Sequence, residues 1–195
     1  MTNQVFSKEV LLEEQIQGEI LIGNRVPRDY FVTKGNGQSD LTVHAGSYHL
    51  ALKSAGIEMC NIMTYSSILP AIANEIERPP KLDHGSVMET IISTCTANSG
   101  ERATAGIIYG WLFDKTNNQK YGGLVCELYG NCEVSEITER LHASIEELYY
   151  NGFSDDYCLS DRNVITESFI PEKKYGTALV GLCFVNYLYP VVKNV

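Results

Sequence analysis

The stretch that most constrains this 195-residue chain is Asn61–Pro70, reading NIMTYSSILP. A β-leaning run leads into two adjacent hydroxyls, then two bulky apolar residues and a proline. Proline lacks a backbone donor and stops a regular strand, so the serine pair is expected at a strand end, held in a turn. A backbone pinned in a sparsely populated conformation stores roughly 1–3 kcal/mol, and peptides react with their own side chains at such places. One such reaction is open to Ser67. Its hydroxyl can attack the Ser66 carbonyl and move the acyl group from nitrogen to oxygen, leaving an ester that breaks by β-elimination. The products are a chain ending at Ser66 and a chain whose former Ser67 is a pyruvoyl group. The bland alternative is a solvated turn, the usual fate of a Ser-Ser dipeptide.

Period-two alternation puts Asn61, Met63, Tyr65 and Ser67 on one side of this strand and Ile62, Thr64 and Ser66 on the other. Upstream, Asp29–Thr33 reads as a strand and Lys34–Asp40 as a loop, because Gly35 and Gly37 sit among short polar residues. The glycine spacing does not match a phosphate-cradling loop. Thr42–Ala55 carries apolar residues at helical spacing, with Gly56 placed as its C-terminal cap. Ser86–Thr96, Ala103–Phe113 and Gly122–Tyr129 read as strands joined by turns, hence as an antiparallel set. Cys132–Tyr150 is a helix with Val134, Ile137, Leu141, Ile145 and Leu148 on one face and Gly152 ending it. Asn163–Ile170 and Gly176–Tyr189 read as two more strands, the last almost uniformly apolar and therefore central. Strands grouped together with helices set between them give an α+β, layered fold of mainly antiparallel sheets.

The length suits one core, expected over 26–195, with 1–25 as an N-terminal arm. A formal net charge of −9 argues against nucleic-acid or anionic-membrane partners. No apolar run approaches the ~20 residues that cross a bilayer, and the segment from Met1 to Glu9 has no secretory apolar region, so a cytoplasmic location is expected. The six cysteines form no Cys-x-x-Cys pair and read as reduced thiols. Neither they nor His44, His49, His84 and His142 show a zinc-ligand spacing, so no metal is expected.

Glu127 is a carboxylate inside the apolar run Gly-Gly-Leu-Val-Cys-Glu-Leu-Tyr-Gly, where isolation would be costly; the alternative is a rim glutamate at a strand end. Asn61 has a plain reading as a strand-edge turn residue. Tyr65 and Ile68 serve equally as pocket walls or as core packing.

The segment around Ser66-Ser67 resembles the self-cleavage site of the pyruvoyl-dependent arginine decarboxylases: an asparagine, then a Ser-Ser pair, two apolar residues and proline. Further matches run in order through Ala55-Gly56-Ile57, Pro80-Lys81-Leu82, Gly85, Gly100-Glu101, Gly123-Leu-Val-Cys-Glu127 and Gly130-Asn131-Cys132, from about residue 26 to about residue 185. The resemblance implies a four-layer αββα sandwich, assembled as a homotrimer with sites at subunit interfaces and trimers able to pair. It implies cleavage into a β chain, 1–66, and an α chain, 67–195. The cofactor is then a covalent pyruvoyl group derived from Ser67, with no pyridoxal phosphate and no metal. Its ketone condenses with the substrate amine, and the adjoining amide carbonyl accepts the electrons released as carbon dioxide leaves. The resemblance also makes Glu127 the proton donor, gives Asn61 a part in self-processing through a hydrogen bond near the scissile carbonyl, and leaves Ser66 at the site.

One position departs from the pattern. Where the family has an aspartate twelve residues before the asparagine, pairing with the substrate guanidinium, this chain has His49. An imidazole cannot provide that bidentate geometry. Asp40, Glu58 or a neighbouring subunit then supplies the carboxylate, or the substrate differs. The first reading is a self-processing decarboxylase converting L-arginine to agmatine and carbon dioxide. The second keeps the chemistry with another amino acid. The third, of another class, is an unprocessed binding or structural subunit.

Overall fold

The structure, a computed structural model, describes residues 22–191. Most of the expected N-terminal arm, 1–21, lies outside the described residues. The chain divides into two compact units. The described part of the smaller one is 22–26 and 188–191, where Ile22 bridges Val191 and the Gly23 N–H donates to the Pro190 carbonyl at 2.8 Å. The main unit runs from Pro27 to Tyr187.

The main unit is a mixed α+β arrangement of mostly antiparallel strands. Strand β1, Asp29–Ser39, leads to a π-helical turn, Val43–Tyr48, continuing as helix α1, His49–Ala55. Strands β2, Asn61–Thr64, β3, Ile68–Pro70, and β4, Asn74–Glu75, are short. Strands β5, Val87–Asn98, β6, Ala103–Asp114, and β7, Lys120–Gly130, are long; helix α2, Val134–Gly152, and strands β8, Tyr157–Phe169, and β9, Tyr175–Phe184, complete the set. One sheet has the order β2-β5-β9-β1-β4 and the other β3-β7-β6-β8. β2 pairs with β5, and β4 with β1, in parallel; the remaining pairings are antiparallel.

Three apolar clusters follow from strand alternation. On β5, Met88 joins Phe31, Leu179 and Cys183 beneath Ala51, Leu52 and Ala55 of α1. The odd-numbered Ile91, Cys95 and Ala97 point the other way, meeting Ala105, Ile107, Tyr109 and Val125 of the second sheet. That sheet's opposite face sets Ile108, Leu112 and Leu124 against Ile137, Leu141 and Ile145 of α2.

Four expectations need correction. Lys34–Ser39 is not a loop but the second half of β1, paired throughout with β9. Its glycines answer to packing: a Cβ on Gly35 would lie 2.5 Å from the Ala51 carbonyl, and one on Gly37 would lie 2.4 Å from the Ala51 nitrogen. The α1 backbone rests directly on this strand. The strand expected from Asn163 already begins at Tyr157, because β6 offers residues 157–160 partners from Trp111 to Asp114, with Asp161 and Arg162 at a register shift between the two paired stretches. The last apolar strand ends at Phe184, although β9 is central, flanked by β5 and β1. Gly152 closes α2 from within, with Phe153 as its cap; Gly56 caps α1 as expected, at φ 72°.

Candidate active site

Strands β2 and β3 lie at the edges of different sheets, so the link Tyr65-Ser66-Ser67 carries the chain from one sheet to the other. The Tyr65 N–H donates to the Thr90 carbonyl at 3.0 Å, and its ring packs against Phe184 at 5.7 Å. At the far end, Leu69 opposite Gly123 and Pro70 opposite Gly122 dock β3 on β7. Side chains at 122 and 123 would block this: a Cβ on Gly122 would lie 2.9 Å from the Leu69 carbonyl, and one on Gly123 would lie 3.0 Å from the Leu69 Cβ. The two glycines of the Gly-Gly-Leu-Val-Cys-Glu run therefore seat the segment that follows Ser67.

Alternation then fixes what Ser67 faces. Leu69 and Val125 belong to the cluster between the sheets, and Leu124 to the cluster beneath α2. Glu127, two residues beyond Val125, shares its inward face. Ser67, two before Leu69, meets it there: the Ser67 hydroxyl donates to Glu127 Oε2 at 2.6 Å, in a half-buried setting. Hydrogen bonds to ionised acceptors are short and roughly twice as strong as neutral ones. Cys126 points the other way, and burial, helped by the charge of Glu127, pushes its thiol up to about 11.

Two backbone donors complete the arrangement. The Ile68 N–H donates to the Ser66 carbonyl at 2.9 Å, across a three-residue turn centred on Ser67, and the Val125 N–H donates to the Ser67 carbonyl at 3.1 Å. Outside glycine, positive φ occurs among the described residues at Asn118 and Asp161, so the turn is of the inverse γ type. No positive φ falls on the serine pair, and hydrogen bonds hold the turn. Backbone donors leave no mark in a sequence, which is why neither was foreseen.

The remaining candidates are dispersed. The Asn61 amide donates to the Gly85 carbonyl at 2.9 Å rather than to Ser66, and the Asn61 N–H donates to the Ser86 carbonyl at 2.8 Å. Asn61 thereby ties β2 to the turn before β5. Ile68 is exposed and borders a cleft of about 330 Å³ with Tyr121, Leu124 and Phe153. His49 is exposed on α1, in a groove with His44, Tyr48 and Leu52, across the five-stranded sheet from Ser67. Ser47, two residues earlier, is buried and bonded to the Thr177 hydroxyl at 2.8 Å. The Asp40 carboxylate accepts from the Lys174 N–H at 3.2 Å.

The carbonyl that a Ser67-derived pyruvoyl group would inherit is thus already held, and its methyl carbon would start beside Glu127. The Ser67 carbonyl is fixed by Val125, and the side-chain carbon carries the hydroxyl that touches Glu127. The residues present fit the group.

Comparison with known proteins points the same way. The pyruvoyl-dependent arginine decarboxylase family model matches residues 29–188. A pyruvoyl-dependent arginine decarboxylase of Thermoplasma volcanium is 27% identical over 156 residues, 72% of this chain and 83% of that protein. Pyruvoyl-dependent arginine decarboxylase 1 of Archaeoglobus fulgidus is 33% identical over 132 residues, 66% of this chain and 80% of that protein. The corresponding enzyme of Methanocella arvoryzae is 36% identical over 86 residues, 43% of this chain and 51% of that protein. With a match across nearly the whole described chain, and a serine pair, a carboxylate and the backbone donors gathered at one link between sheets, this chain belongs to the pyruvoyl-dependent arginine decarboxylase family.

Proposed function

We propose that this chain cuts itself between Ser66 and Ser67 and then decarboxylates L-arginine to agmatine. The observation that carries the reading is the 2.6 Å bond from the Ser67 hydroxyl to Glu127, in a chain of this family. Ser67 supplies the attacking oxygen, and Ser66 becomes the new carboxyl end. The pyruvoyl group, once formed, supplies a ketone that takes the substrate amine and a carbonyl that accepts electrons. Glu127 returns a proton to the substrate carbon after carbon dioxide leaves, a step that requires an acid within hydrogen-bond reach of the reacting atoms. Its bond to the side chain of Ser67 gives it that reach. The Val125 N–H orients the Ser67 carbonyl. Asn61 assists processing by holding the strand that ends at the cut.

The catalytic domain spans 26–195, with 1–25 as an arm, and the cut yields 1–66 and 67–195. The three apolar clusters support a helix–sheet–sheet–helix order of four layers. Exposed Met63, Ile68 and Val87 lie on or beside the two edge strands that flank the cut and support a homotrimer closed over this side. A neighbouring copy then walls the substrate pocket beside Tyr65 and Ile68 and supplies the carboxylate that the guanidinium needs. No helix of the described residues is long and apolar enough to cross a membrane, in keeping with a cytoplasmic enzyme.

The test is an intact mass under denaturing conditions, followed by an amino-acid panel assayed for carbon dioxide release. Two chains, the second lighter by one ammonia than hydrolysis would leave it, and agmatine from arginine are expected. A single uncut chain refutes self-processing, and a preference for another amino acid refutes the substrate.

A further inference from the structure

The backbone around Ser67 places a different donor where the family resemblance put Asn61, on the carbonyl of Ser66. We propose that the backbone N–H of Ile68 is the donor that stabilises the oxyanion during self-cleavage; this rests on the reading that the chain cuts itself at Ser66-Ser67.

In the acyl shift, the Ser67 Oγ bonds to the Ser66 carbonyl carbon, and the carbonyl electron pair moves onto its oxygen. The carbon–nitrogen bond to Ser67 then breaks, and the hydroxyl proton ends on that nitrogen. The charge therefore gathers on the Ser66 oxygen, where a preorganised donor at about 2.7–3.1 Å is most effective. The Ile68 N–H stands 2.9 Å from that atom. It is free for this use because Ile68 opens β3: its partner across the strands is Leu124, yet its N–H turns back to Ser66 instead of joining the ladder. Ser67 is pinned on its other two polar atoms, the hydroxyl by Glu127 and the carbonyl by Val125. The attacking oxygen, the carbonyl and the donor are thus set by one three-residue turn. The Asn61 amide, engaged with the Gly85 carbonyl, is not the group on the Ser66 oxygen.

The experiment follows cleavage in the full-length chain by denaturing intact mass over time. Ile68 is replaced through nonsense suppression by its α-hydroxy analogue, which exchanges the N–H for an oxygen and keeps the side chain. Cleavage at Ser66-Ser67 is expected to slow by about 100-fold or more relative to the parent chain, the scale of losing one oxyanion donor. Ile68→Pro, a residue tolerated at the first position of an edge strand, removes the same donor by a second route and covers a failure of the first variant to fold. Hydroxylamine, which traps an accumulated ester, should leave Ile68→Pro uncut; a chain 1–66 ending in a hydroxamate would place the fault after the shift and overturn the proposal. Cleavage of either folded variant at the parent rate overturns it as well. A parent chain that never cuts refutes self-cleavage itself, and this inference with it.

Discussion

Replacing Glu127 by glutamine separates the contact that its carboxylate makes with Ser67 from the proton transfer proposed for it. Glutamine keeps the shape and one acceptor oxygen, so the 2.6 Å contact from the Ser67 hydroxyl survives as a neutral hydrogen bond. A bond to a charged acceptor contributes about 1.5–3 kcal/mol against about 0.5–1.5 for a neutral one, so the uncut chain loses on the order of 1 kcal/mol at this contact. Folding and cleavage should continue. Turnover should not, because an amide carries no proton that it can give. Loss of a positioned general acid costs about 10²–10⁴-fold, or roughly 2.7–5.4 kcal/mol of barrier. The loss should fall on kcat, with KM little changed, since substrate binding does not draw on the missing proton. Agmatine formed per cleaved chain, with the cleaved fraction read by mass from the same sample, is the measurement. A cleaved Glu127→Gln enzyme turning over at close to the parent rate would show that the proton comes from elsewhere.

Other changes probe the remaining links. Ser67→Ala removes the attacking hydroxyl and should give one uncut chain by mass, with no decarboxylation; any cleavage at that bond would exclude the mechanism. His49→Asp should raise kcat/KM for arginine if residue 49 faces the guanidinium in the assembled enzyme, and an unchanged amino-acid preference in the panel would remove it from the pocket. Gly37→Ala sets a Cβ 2.4 Å from the Ala51 nitrogen and 2.5 Å from the Ser47 carbonyl, so the helix must move; a cost of about 3 kcal/mol, or roughly 6–12 °C in Tm by calorimetry, is expected. Burial pushes the Cys183 thiol up to about 12 and the Cys126 thiol to about 11, leaving little thiolate on either near neutrality. Iodoacetamide at about pH 8 should therefore label exposed Cys158 well before these two in the folded chain, and equal rates, read by peptide mass, would contradict the packing around them.

Much of the molecule was legible because its signals are local. The apolar face of α2 appears in the spacing of Ile137, Leu141 and Ile145, and the Gly56 cap appears as a glycine at the end of a helical pattern. Pro70 does end a strand, and the serine pair stands in a turn before it. Where reading failed, a residue answered to a distant neighbour. Gly35 and Gly37 have the composition of a loop, but they lie in a strand because α1 leaves no room above them for a Cβ. Residues 157–160 join the strand only because β6 supplies their partners.

The sequence by itself determined which chemistry is open to this chain: a hydroxyl on the residue directly after the Ser66 carbonyl, where attack closes a five-membered ring, and a carboxylate in an apolar run. Both follow from residue types and covalent adjacency. Only the tertiary structure decided that the two meet. Ser67 and Glu127 are 60 residues apart, and they touch because β3 lies on β7 across a pair of glycines, with both residues on the face turned toward the other sheet. The donors on Ser66 and Ser67 were decided the same way, since a backbone N–H acquires its target only once the chain has turned and the strands have paired.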